Sequence, residues 1–92
     1  MKVGDNVAWE SQSGGSWTKK KGTIVAIVQA GNSAQKLVPM TARKSHIKFD
    51  ADISRTDRIL VAVPAGKNQQ IMHYYCPTKR TIELQEIELK RR

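Results

Sequence analysis

Apolar residues recur at every second position in short runs of this chain, and clusters of glycine, asparagine, serine and proline separate the runs. Asn6 to Glu10 sets Val7 and Trp9 on one side of an alternating segment, which predicts a half-buried strand. Ser11 to Ser16, with Gly14-Gly15 at its centre, predicts a flexible loop. Lys20 to Gln29 is the longest strand candidate, rich in β-branched residues and free of proline. Gly22 near its start is placed to permit a bulge or a sharp bend. Ala30-Gly31-Asn32-Ser33 breaks the strand.

In the middle of the chain Pro39 limits ladder hydrogen bonding, while Ile47 and Phe49 alternate with Lys48 and Asp50 on a short strand. Asp50 to Asp57 reads as an extended loop or a helical turn. Arg58 to Val63 is a clear strand with Ile59, Val61 and Val63 on one face. Pro64 to Asn68 predicts a turn, and Ile71 to Cys76 returns as the partner strand of a second hairpin. Thr81 to Leu89 fits either a closing strand or a short helix; the β-branched start Thr81-Ile82 favours the strand. The expected architecture is all-β: one domain over residues 1–92, a small barrel of five or six antiparallel strands.

Length and charge narrow the function. Ninety-two residues bury one modest core, so a large cofactor or a deep cleft between domains is not expected. No apolar stretch approaches the roughly 20 residues of a membrane span. The amino terminus Met1-Lys2-Val3-Gly4-Asp5 lacks an apolar signal core, and lone Cys76 fits a reducing compartment. A cytoplasmic location follows as the expectation. Sixteen Lys and Arg against eight Asp and Glu leave +8. The cations are grouped as Lys19-Lys20-Lys21, Arg43-Lys44 with Lys48, Lys79-Arg80 and Lys90-Arg91-Arg92, whereas acids gather at 50–57 and 83–88. Separated signs predict a basic face and an anionic partner, DNA or RNA, although a merely solubilising surface has the same composition.

Gly4-Asp5-Asn6-Val7-Ala8-Trp9, then Gly14-Gly15, then Lys21-Gly22-Thr23-Ile24-Val25 resembles the opening of Src-homology-3-like barrels. The nearest patterns are KOW-type domains and the hypervirulence-associated Tudor-like family, and the likeness spans residues 3–28. The segment around Lys36 to Asp57 is longer than in such barrels, and His73-Tyr74-Tyr75-Cys76-Pro77 has no counterpart in them. The resemblance implies a binding module without a reaction. KOW-type domains contact RNA, DNA or proteins, and Tudor-like domains hold peptides with rim aromatics.

Candidate chemistry follows from cations interleaved with rings, since cations neutralise phosphates and flat rings stack on unpaired bases. Trp17 directly precedes Lys19, Lys20 and Lys21; it is a stacking platform if exposed and a lid if folded back over the barrel. Trp9 reads as core. Arg43, Lys44 and Lys48 extend the basic set. An aromatic cage would need three rings drawn from Trp9, Trp17, Phe49, Tyr74 and Tyr75, and adjacent Tyr74 and Tyr75 face opposite ways. His46, His73 and Cys76 are too few and too badly spaced for a metal site, and no acid-base pair is identifiable. The expectation is a non-enzyme with no cofactor, metal, membrane or small-molecule substrate. Nucleic acid is its partner; a Tudor-like peptide module is the alternative, and a structural subunit facing an acidic protein a third.

Overall fold

A computed structural model describes residues 1–92 except Gly14, Lys67, Gln69, Arg91 and Arg92. The chain is mostly β, one open sheet of four antiparallel strands in the order β1-β2-β3-β4, followed by a helix. The strands are β1 (Asn6–Ser13), β2 (Ser16–Val28), β3 (Arg58–Ala65) and β4 (Ile71–Tyr75), and α1 covers Lys79–Lys90. Among the described residues the sheet thus has four strands where five or six were expected, in an order that leaves β1 and β4 as its two edges.

β2 is long because it serves two partners. Ser16 to Thr23 pairs with β1, and Thr23 to Val28 pairs with β3. The expected loop over Ser11 to Ser16 is thus mostly strand, with Ser13 paired to Ser16 and Gly15 at φ +84° in the connection; Gly14 lies outside the described residues. Ladder hydrogen bonds between polar residues extend the hairpin beyond what apolar alternation reveals.

The expected bulge at Gly22 falls instead at Val25, where the β2–β3 register shifts between Ile24 and Ala26. The extra residue resets the alternation, so Ile24 and Ile27 pack on one face while Val25, Ala26 and Val28 pack on the other. Gly22 has a different role. A Cβ there would stand 2.6 Å from Val61 Cγ1 and press on the Ala62 carbonyl oxygen, so only glycine lets the strands approach this closely.

Both faces of β3 are covered, which makes Arg58 to Val61 a continuous buried run. On one face Val7, Trp9, Ile24, Ile59 and Val61 pack against Ile82 of α1. On the other, Val28, Leu60 and Tyr74 pack beneath the 29–57 connection through Ala34, Val38, Ile47 and Phe49. The expected strand at Ile47 reduces to a single parallel bridge to Tyr74, with the Lys48 amide donating to the Tyr74 carbonyl at 2.8 Å. The connection folds back on itself: Gly31 N–H reaches Ser54 O and Ala34 N–H reaches Asp52 O, each at 2.8 Å. Arg58, 4% exposed, ties it down from below by donating to Ala51 O at 2.5 Å and Asp52 O at 2.7 Å.

The closing strand expected over Thr81 to Leu89 is a helix. The Thr78 hydroxyl receives the Thr81 amide at 3.3 Å, satisfying one of the free donors of the first turn. Lys79, Arg80, Glu83, Leu84 and Gln85 all favour helix, and their summed preference outweighs the β-branched start. The helix buries Ile82 completely, leaves Leu84 52% exposed, and aims Gln85 at β1. There the Gln85 amide accepts from Glu10 N–H at 2.9 Å and donates to Glu10 O at 3.2 Å, capping an edge that would otherwise be unpaired. No helix among the described residues is long and apolar enough to cross a membrane.

The second hairpin forms as expected between β3 and β4, with Val61 paired to Tyr75 and Val63 to His73. Pro64 and Ala65, expected in its turn, belong to β3, because β3 runs on to pair Ala65 with Ile71. Lys67 of the expected turn lies outside the described residues.

Candidate functional site

Strand alternation divides the lysine cluster between the two faces of the β1–β2 hairpin. Trp17, Lys19 and Lys21 lie opposite Gln12, Glu10 and Ala8, so they form one row on one face. Lys20 lies opposite Trp9 and projects from the other face. Trp17 is 67% exposed and does not fold back as a lid. Lys19 and Lys21 are exposed beside it. The row continues toward Thr23, whose hydroxyl donates to Asn6 Oδ1 at 3.1 Å.

On the face of Lys20 an open groove of about 810 Å³ runs between the hairpin, the end of β4 and the start of α1. Trp9, Lys20, Lys48, Phe49, His73, Tyr75 and Thr81 line it. The Trp9 ring meets Tyr75 edge to face with centroids 6.0 Å apart, and the Lys20 ammonium stands 5.0 Å over the Tyr75 ring. That cation–π contact holds a flexible lysine at the groove. His73, two residues from Tyr75, faces the same side, and its ring lies 5.4 Å from that of His46. Burial is the main cause that holds the His73 imidazole below its ordinary 6.5; Lys48 and His46 add to it.

The remaining expected residues do not join this groove. Arg43 borders a separate depression of about 500 Å³ at the outer edge of β4, with Thr41, His46, Ile71, Met72 and Tyr74. Lys44 is exposed on the short 3-10 turn Lys44–His46. The seven expected residues are therefore dispersed: Trp17, Lys19 and Lys21 in one row, Lys20 and Lys48 at the groove, Arg43 and Lys44 apart. Among the described residues the only ion pair is Lys79–Glu83 at 3.8 Å, so none of these cations is neutralised by a described carboxylate.

His73 and Tyr75 were missing from the expected set. Their i, i+2 spacing on a predicted strand is the signal that places both on one face with Lys20 across the sheet. Tyr74 instead is buried in the second cluster. Of the five candidate cage rings, Trp9, Phe49 and Tyr75 line the groove, where Trp9 meets Tyr75 by its edge and Lys20 stands over the Tyr75 ring, while Trp17 lies on the opposite face of the hairpin. Cys76 is half-buried, and burial pushes its thiol above its ordinary 9.0, which keeps it a poor nucleophile. No group of three or more His, Cys, Asp or Glu able to hold a metal occurs among the described residues. Comparison of the chain with family models, with curated proteins and with solved structures finds no match.

Proposed function

We propose that this chain is a non-enzymatic module that binds nucleic acid, DNA or RNA, through the basic surfaces of its β1–β2 hairpin. One observation carries the reading: Lys19, Lys20, Lys21 and Lys48 are presented without ion pairing to any described carboxylate, beside an exposed indole and an aromatic groove. Cations free of carboxylate partners can neutralise the phosphates of a nucleic acid, and the counterions condensed on that polyanion are released in the process, which supplies binding free energy. Arg43 and Lys44 supply further positive potential at longer range.

The same reading takes the curled sheet as a Src-homology-3-like barrel of the KOW or Tudor-like type. Its support is the bent β2 shared by two partners and the contact between Trp9 and Tyr75 across the sheet's two edges. A Tudor-like peptide module has less support, because Lys20 of the chain itself stands over Tyr75 where a ligand cation would sit. The single half-buried thiol of Cys76 suits a reducing cytoplasm.

Fluorescence anisotropy with labelled single- and double-stranded DNA and RNA tests this reading. The expected result is binding at low salt whose logarithm falls linearly with log salt, by about 0.7–0.9 for each phosphate neutralised. Absence of binding to all four at low salt ends it.

A further inference from the structure

We infer that the Trp17–Lys19–Lys21 row is a track for single-stranded nucleic acid, with Trp17 stacking on an unpaired base and the two lysines meeting phosphates of neighbouring nucleotides. The inference rests on the nucleic-acid reading and narrows it to one class of strand.

Three features of the row lead to it. The residues sit at i, i+2 and i+4 of β2, so their side chains leave one face at intervals of roughly 6.6–6.8 Å. That spacing lets a ring and two cations act on successive units of an extended strand rather than on one point. Second, the indole is available: Trp17 is 67% exposed in a chain whose other tryptophan, Trp9, is 4% exposed. It lies three register steps beyond the Trp9–Lys20 pair, toward the end of the hairpin. Third, no described carboxylate pairs with Lys19 or Lys21, although Glu10 lies across the ladder from Lys19. Charge complementarity therefore points to phosphate.

The ring decides between single strand and duplex. Lysines alone serve either, because both present phosphates. A duplex keeps its base faces stacked on each other, whereas an unpaired base offers a free face, worth about 1–3 kcal/mol per stacked ring.

Trp17 itself is the reporter. Titration of the protein with a short oligothymidylate, followed by intrinsic tryptophan emission, is expected to quench the exposed Trp17 and spare the buried Trp9. Trp17→Ala is expected to weaken binding of the labelled oligomer roughly tenfold or more, with Trp9 emission unchanged as the sign of an intact fold. Lys19→Ala and Lys21→Ala should each lower the salt slope by about 0.7. A duplex of oligothymidylate with oligoadenylate should bind more weakly at the same salt and leave the emission unquenched. Duplex binding as tight as single-strand binding, or single-strand affinity unchanged in Trp17→Ala, overturns the track while the nucleic-acid reading stands. Failure of both oligomers to bind at low salt overturns the two together.

Discussion

Trp9 of β1 and Tyr75 of β4 belong to strands at opposite edges of the sheet, yet their rings meet edge to face at 6.0 Å. The sheet must therefore curl until its edges approach, and it does so without hydrogen-bonding them together. Lys20 completes the junction from β2, with its ammonium 5.0 Å over Tyr75. Fold and candidate site are coupled here, since the ring that joins the edges also lines the groove.

Removing that ring should loosen the curl. Tyr75→Ala is expected to cost about 2–4 kcal/mol, from lost burial and the lost aromatic pair. Tyr75→Phe keeps the ring and should cost less than about 1.5 kcal/mol. Urea unfolding monitored by Trp9 emission measures both; equal stability of the two variants would remove Tyr75 from this role.

Gly22 offers a test in which two effects have opposite signs. In a strand with room for a side chain, alanine is favoured over glycine by about 0.5–1 kcal/mol. At Gly22 the added methyl would collide with Val61 and the Ala62 carbonyl, so Gly22→Ala is expected to destabilise by about 1–3 kcal/mol. A rise in the urea midpoint would show that the strands can part there at little cost.

Asp52 couples the long connection to pH. Its carboxylate accepts the Ser33 hydroxyl at 2.6 Å and the Gln35 amide at 2.9 Å, and the Ser33 bond is the main cause that holds it below its ordinary 3.8. The depressed value means the folded state keeps the charged form longer than the unfolded chain does. Its contribution to stability is therefore complete above the unfolded value near 3.8 and is lost as the pH falls through the lower folded value. Denaturant midpoints measured between neutral and acid pH should fall less steeply on acidification in Asp52→Asn than in the parent, and identical profiles would refute the coupling.

His73 should give two pH dependences of opposite sign. Because the fold disfavours its imidazolium, the unfolded chain takes up the proton first as the pH falls through 6.5, and folding stability declines there before levelling off below the folded value. A phosphate in the groove would favour the same proton, so oligonucleotide affinity should rise over that interval. His73→Gln should flatten both profiles. Paired unfolding and anisotropy measurements across this range report them separately, and an affinity that falls with acidification would exclude a phosphate beside His73.

Much of this architecture is legible locally. The placing of Val7 with Trp9, of Ile59 and Val61 with Val63, and of Tyr74 apart from Tyr75 follows from the alternation of side chains between the two faces of a strand. The pattern misses residues without apolar alternation: Ser11–Ser13 and Ser16–Thr18 are strand because their backbones pair with one another. It also misreads the tail, where Ile82 and Leu84 look like alternate strand positions although only Ile82 is buried. The candidate site was legible as a list of cations, but its division was not. Consecutive Lys19, Lys20 and Lys21 form one cluster in sequence and two opposed surfaces in space.

Sequence by itself determined most of the strand-forming segments and the excess of positive charge, because composition and alternation act within a few residues. Only the tertiary structure decided that Gly22 is required by Val61 and Ala62 rather than by a bulge, and that a helix covers the sheet's first face. It alone brought Tyr75 under Lys20 and beside Trp9. Those relations depend on strand curl and on contacts between residues far apart in the chain, 66 positions for Trp9 and Tyr75 (75 − 9) and 75 for Glu10 and Gln85. No local pattern encodes a meeting over such a distance; it emerges when the sheet bends and brings its edge strands together.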